Sequence, residues 1–191
     1  MATADHSDCM TENTVARRPR MCVAVFACVA LVALVLDRIT KNMALSSLTT
    51  DHDISVIPGL LSLRLLHNPG ASLGMGSSTT WLISLLAIVA SIALFVAGVI
   101  TTDWRWAVCL GLAFGGAVGN LIDRVMYATG FLDGRVVDFL NYGWSVGNVA
   151  DIWLMVAGIG LVLLIVLSVP FRPTREGATD TTSNDDMTET R

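Results

Sequence analysis

Trp81 to Ile100 is a run of twenty residues without a single charged side chain. A bilayer core offers no water to backbone N–H and C=O groups, so such a run must satisfy them internally, as a helix. At 1.5 Å per residue, twenty residues reach about 30 Å, the thickness of the hydrocarbon layer. Met21–Leu36 is a second charge-free run, and it reaches spanning length by continuing into Asp37–Met43. Trp106–Ile122 and Ile152–Val169 are the third and fourth. Only 15% of the chain is charged, against about 25% in an ordinary soluble domain. The pattern predicts an α-helical integral membrane protein with four transmembrane helices and a small extracytoplasmic β-containing segment.

The expected spans are about 21–40, 81–100, 106–122 and 152–169, with outer segments at 41–80 and 123–151. A cleaved signal peptide is the alternative for the first run. About twenty polar residues precede it, and no A-x-A site precedes Asp37, so it reads as an uncleaved span. Residues 1–20 and 172–191 are polar and rich in Thr, Asp and Arg, the composition of disordered tails. An even number of spans puts both termini on one side. Arg17, Arg18 and Arg20 cluster before the first span and favour the cytoplasm for that side. Both larger loops then share the outer face.

The net charge is −4, and several of the acids lie in the C-terminal tail. No basic, aromatic-interleaved surface points to nucleic acid. Cys9, Cys22, Cys28 and Cys109 have no CxxC spacing and read as small hydrophobes. Ile54–Ile57 and Leu61–Leu65 read as two short strands around the Pro58-Gly59 turn. Gly111, Gly115, Gly116 and Gly119 line the third span, where small residues let helices approach closely.

Ionisable groups at membrane depth are usually functional. Asp37 and Lys41 share a helix face at i, i+4; the plain reading is an interfacial ion pair with Lys41 snorkelling to water. Asn120 and Asp123 lie at i, i+3, and Asp123 beside Arg124 reads equally as a helix-end ion pair. Asp138 sits inside the apolar tetrapeptide Val136-Val137-Asp138-Phe139. Asp151 opens the fourth span, where an acid is commonly a helix cap worth about 1 kcal/mol. Two aspartates held together in an apolar setting share a proton; one can activate water while the other protonates a leaving group. The chain has no G-x-S-x-G elbow and no H-E-x-x-H, so neither a serine triad nor a zinc site is expected. His67 alone carries no assigned role. From the residues by themselves an enzyme, a proton-coupled carrier with paired aspartates and an assembly subunit all stay open, in that order.

Five segments together resemble the lipoprotein signal peptidase (signal peptidase II) family. They are Asp37-Arg38-Ile39-Thr40-Lys41, Asn68-Pro69-Gly70-Ala71-Ser72, Gly115 to Arg124, Val136-Val137-Asp138-Phe139 and Asn148-Val149-Ala150-Asp151, in the family's order. The resemblance covers residues 21–170. It implies an aspartic endopeptidase of the bacterial cytoplasmic membrane that cuts diacylglyceryl prolipoproteins just before the lipidated cysteine. It assigns the catalytic pair to Asp138 and Asp151. Asp37, Lys41, Asn68, Gly70, Asn120, Asp123, Arg124 and Asn148 fall on its supporting or substrate-binding positions. The implied partners are prolipoproteins and membrane lipids; no cofactor and no metal are expected, and the oligomeric state is open, a monomer being plausible. Arg38 stands where the family more often has glutamine, and Gly147 where it more often has phenylalanine. Asp133 matches no motif. The stretch between Arg124 and Val136 is long for the family, and is expected either to cover the site or to move the segment carrying Asp138.

Overall fold

The computed structural model describes residues 7–70 and 80–172. Ala71 and Ser72 of the second motif lie outside the described residues. The elements run α1 (Ser7–Ser47), β1 (Ile54–Ile57), β2 (Leu61–Asn68), α2 (Thr80–Ile100), α3 (Trp104–Met126), β3 (Val136–Asn141), β4 (Val146–Gly147) and α4 (Val149–Val166). Among the described residues, four helical stretches are long and apolar enough to cross a membrane: Arg20–Ser47, Thr80–Ile100, Trp104–Met126 and Val149–Val166. Helix α1 starts at Ser7, where the sequence suggests an irregular tail up to residue 20. Helix propagation adds one hydrogen bond per residue once a nucleus exists, so the apolar span can extend helix into its polar flank.

Helix α3 is the hub, packed against α1, α2 and α4. Half of its most apolar window is buried, against 28% or less in the other three. Glycines make that packing possible. A Cβ at Gly116 would lie 2.7 Å from the Ala150 carbonyl of α4, and one at Gly119 would lie 2.7 Å from the Asp37 carboxylate of α1. At one end of the bundle Phe26, Phe95 and Phe114 pack ring against ring, beside Cys22, Ala107 and Leu110. There Asp103 caps α3, accepting from the Arg105 N–H at 2.8 Å.

At the opposite end lies an antiparallel sheet in the order β1-β2-β3-β4. The sequence suggests only two strands there. The structure carries β2 on to Asn68 and adds β3 and β4 from the second long segment. Asn68 pairs with Val136, and Leu66 with Asp138. Side chains alternate along a strand, so Asn68 and Asp138, diagonal across the pair, share one face of the sheet. The sheet thus stitches together two segments more than sixty residues apart.

The long stretch after Arg124 is folded down on itself. Asp133 accepts from the N–H groups of Thr129 at 2.9 Å and Gly130 at 2.8 Å. These bonds, Gly130's foremost, hold its carboxyl below the usual carboxylate range. Ser84 of α2 pins the stretch by donating to the Leu132 carbonyl at 2.7 Å. Asp138 itself lies within a buried strand.

Candidate active site

Strand β3 carries Asp138 to the sheet end of the bundle, where it is 2% exposed. Both of its oxygens are held by amides. Asn68 Nδ2 of β2 donates to Oδ2 at 2.9 Å, and Asn148 Nδ2 donates to Oδ1 at 2.6 Å. Asn68 is itself oriented, because its Oδ1 accepts from the Gly70 N–H at 3.0 Å. Burial removes Asp138 from water and disfavours its charged form, pushing its pKa up to about 7. The Asn68 bond opposes that shift, the Asp151 carboxylate adds to it, and Asn148 and Lys41 oppose it.

Asp151 lies in the first turn of α4, and unlike Asp138 it is exposed. The cap residue proper is Asn148, with Asp151 at the third helical position, and the two form a reciprocal capping box. Asn148 Oδ1 accepts from the Asp151 N–H at 3.1 Å, and Asp151 Oδ2 accepts from the Asn148 N–H at 3.0 Å. The second oxygen of Asp151 accepts from Asn120 Nδ2 at 2.9 Å. Asn148 therefore does two jobs with one amide: it starts helix α4, and it ties that start to Asp138. Its Nδ2 also reaches Asn120 Oδ1 at 3.0 Å.

A buried ionic cluster lies behind these groups. Lys41 is 1% exposed, so it does not snorkel; its ion pair with Asp37 points inward instead. The ammonium donates a hydrogen bond to Asn120 Oδ1 at 2.9 Å and lies in ion-pair contact, also at 2.9 Å, with Asp37 Oδ2 and Asp123 Oδ2. Asp123 does not pair with Arg124 at the helix end, because successive residues on a helix diverge by about 100°. It pairs with Lys41 and with Arg38, whose Nη2 lies 2.5 Å from Asp123 Oδ1. Arg124 turns toward the sheet and donates to the carbonyls of Gly70 at 2.6 Å and Gly134 at 3.4 Å. The two supporting carboxylates also grip backbone. Asp123 Oδ2 accepts from Val137 N at 3.2 Å, and Asp37 Oδ1 accepts from Ala150 N at 3.0 Å. Val137 and Ala150 each immediately precede one of the two site aspartates.

Asp37, Lys41, Asn68, Asn120, Asp123, Asp138, Asn148 and Asp151 therefore form one continuous polar network, with Arg124 and Gly70 bracing its edge. Arg38 is the member that sequence reasoning passes over. Its signal is its place three residues before Lys41, on an overlapping helix face. Tyr142, in the β3–β4 turn, also faces this region: burial raises its hydroxyl pKa, and the Asp151 and Asp138 carboxylates add to the rise. His67 makes an edge contact with Tyr127. Among the described residues, no three His, Cys, Asp or Glu side chains converge as they would around a metal ion. Beside Asn68 opens a cavity of about 430 Å3, flanked by Arg64 and Leu66 of β2 and by Trp144 and Ser145 of the β3–β4 turn. A buried acid that gives up its proton only around neutrality, close to an exposed one, suits general acid–base chemistry on a water.

Comparison with known proteins gives consistent results. The family model described as signal peptidase (SPase) II matches residues 29–168. The chain is 65% identical over 154 residues to a lipoprotein signal peptidase of Bifidobacterium longum (strain DJO10A), covering 81% of this chain and 85% of that protein. It is 39% identical over 151 residues to a lipoprotein signal peptidase of Rhodococcus jostii (strain RHA1), covering 78% and 76%. Among solved structures it is similar to a bacterial membrane enzyme with a TM-score of 0.68 and 25% identity, covering 81% of this chain and 95% of the other.

Proposed function

From the premise that this chain belongs to the signal peptidase II family, we propose that it removes signal peptides from diacylglyceryl prolipoproteins by an aspartic mechanism, with Asp138 and Asp151 as the catalytic pair. A membrane peptidase acting on prolipoproteins is what the family supports. The pair is carried by one observation above all: the contrast in environment between two linked aspartates. Asp138 is buried and raised to about 7, whereas Asp151 is exposed. In this reading Asp138 starts protonated and Asp151 takes a proton from the attacking water. Asp138 polarises the scissile carbonyl, and a proton then passes to the departing amine. Asn68, Asn120 and Asn148 orient the carboxyl groups, and Lys41, Asp37 and Asp123 brace them.

The cut lies just before the lipidated cysteine, with the acyl chains left in the bilayer. The four-span body is the catalytic domain, with both termini cytoplasmic and the sheet end at the outer face. The cavity beside Asn68 has the size of an ordinary ligand pocket and lies against the sheet. There the extended segment around the cleavage site can add backbone hydrogen bonds to β-structure. A proton-coupled carrier has no support from the family.

Two variants, Asp138→Asn and Asp151→Asn, test the assignment. Each purified protein is incubated in lipid with a diacylglyceryl prolipopeptide, and release of the signal peptide is followed. Both variants should insert and fold, and each should lose essentially all cleavage. Retained activity in either removes that residue from the pair. A chelator should leave the wild-type rate unchanged.

A further inference from the structure

We propose that Arg38 is a positioning residue for the aspartate pair, acting by donating a hydrogen bond to Asp123. The proposal rests on the reading of Asp138 and Asp151 as the catalytic pair. Two carboxylates, Asp37 and Asp123, and two cations, Arg38 and Lys41, face one another behind the site. Asp37 and Asp123 are 0% exposed, so bulk water cannot supply a missing partner. Arg38 Nη2 lies 2.5 Å from Asp123 Oδ1, 3.5 Å from Asp37 Oδ2 and 3.4 Å from the Gly119 carbonyl. It therefore touches both carboxylates and the backbone of α3.

The consequence runs through Lys41. Its ammonium sits between the Asp37 and Asp123 carboxylates and donates a hydrogen bond to Asn120, the amide that holds Asp151. While Arg38 covers Asp123 Oδ1, Lys41 can divide itself among Asp37, Asp123 and Asn120. Remove that donor and Asp123 keeps a buried oxygen with no partner. Turning the carboxylate to share Lys41 more fully then loosens two other bonds: Lys41 to Asn120, and Asp123 to Val137 N. One leads to Asp151 and the other to the segment carrying Asp138. What position 38 must supply is a donor of the right reach. Arginine supplies it here, and the side-chain amide of glutamine can supply one too. Methionine has similar length and no donor.

The test compares Arg38→Met, Arg38→Gln, Asp123→Asn and the double variant R38M/D123N with the wild type and with D138N, as purified proteins in lipid on a diacylglyceryl prolipopeptide. Arg38→Met should lower kcat about 10- to 100-fold, the range expected for losing a hydrogen bond to a charged group. KM should stay within about twofold, since the guanidinium is engaged by Asp123, Asp37 and the Gly119 carbonyl and acts through them. Arg38→Gln should keep kcat within about threefold of wild type. R38M/D123N should be more active than R38M alone, because the buried charge that lacked a donor is gone. Wild-type kcat in Arg38→Met, equal damage in Arg38→Gln, or losses that simply multiply in the double variant would each overturn the proposal. If Arg38→Met fails to accumulate in the membrane, the double variant decides: recovered folded, active protein supports the proposal, and no recovery overturns it. Activity in D138N would instead remove the pair on which it rests, whatever the Arg38 variants do.

Discussion

Replacing Asn148 with serine separates the structural job of this side chain from its chemical one. Asn148 is 0% exposed and makes three side-chain bonds: it accepts from the Asp151 N–H at 3.1 Å, and donates to Asp138 Oδ1 at 2.6 Å and to Asn120 Oδ1 at 3.0 Å. Serine is about as good an N-cap as asparagine, so the first of these survives and the start of α4 should hold. Its hydroxyl is too short to reach across to Asp138. Leaving a buried oxygen of Asp138 without its donor costs about 1–3 kcal/mol, equivalent to about a 5- to 150-fold change. Asn120 Oδ1 keeps Lys41 as a partner, so that loss adds little.

We expect kcat at neutral pH to fall by about 10- to 100-fold in Asn148→Ser while helix content is retained. Asn148→Ala should lose in addition about 1 kcal/mol of stability with the cap. The pH profile supplies a second readout. The Asn148 bond works against the rise in the Asp138 pKa, so without it the value moves further above about 7. If Asp138 must begin protonated, the alkaline limb of the rate profile shifts to higher pH. The assay is a fluorogenic diacylglyceryl lipopeptide read between about pH 5 and 9. An Asn148→Ser enzyme with wild-type kcat and an unmoved alkaline limb would refute the link from Asn148 to the acidity of Asp138.

Three further outcomes follow from the same geometry. In the wild type, cleavage should decline as pH rises through about 7, because Asp138 then gives up its proton; a flat profile across that range argues against an acid role for it. The groups that bear on this titration are Asp151, Lys41, Arg124 and Tyr142, together with the Asn68 and Asn148 amides. The folded pKa lies above the ordinary carboxylate value. The stability contributed by protonated Asp138 is thus present at low pH and lost as pH rises toward about 7, which thermal unfolding in detergent can follow. In α3, Gly116→Ala should cost about 1–3 kcal/mol and reduce kcat, since the new Cβ would press on the Ala150 backbone beside Asp151. Gly158→Ala in α4 meets nothing within 4 Å and should leave both unchanged; equal effects of the two alanines would show that this helix contact does not matter.

The chain by itself determines its four apolar spans, because the free energy of placing a residue in hydrocarbon depends on that residue and its near neighbours, and so can be read along the line. It also marks the polar positions at the span ends, and the structure gathers those positions into one network. Partner choice is another matter. Asp123 stands beside Arg124 in sequence yet pairs with Arg38, eighty-five residues away. Helix geometry turns adjacent side chains apart, and close packing of α1 on α3 brings distant ones together. Lys41 reads as a residue that reaches for water, but two buried carboxylates and the Asn120 amide hold it inside. The apolar tetrapeptide around Asp138 shows no clear strand signal until β2 pairs with it, and only that register sets the Asn68 amide against the carboxylate. Hydropathy and helix period are local quantities. Strand register, burial of a charge and the pKa that burial produces belong to the assembled fold, because each is set by atoms that the sequence places far apart.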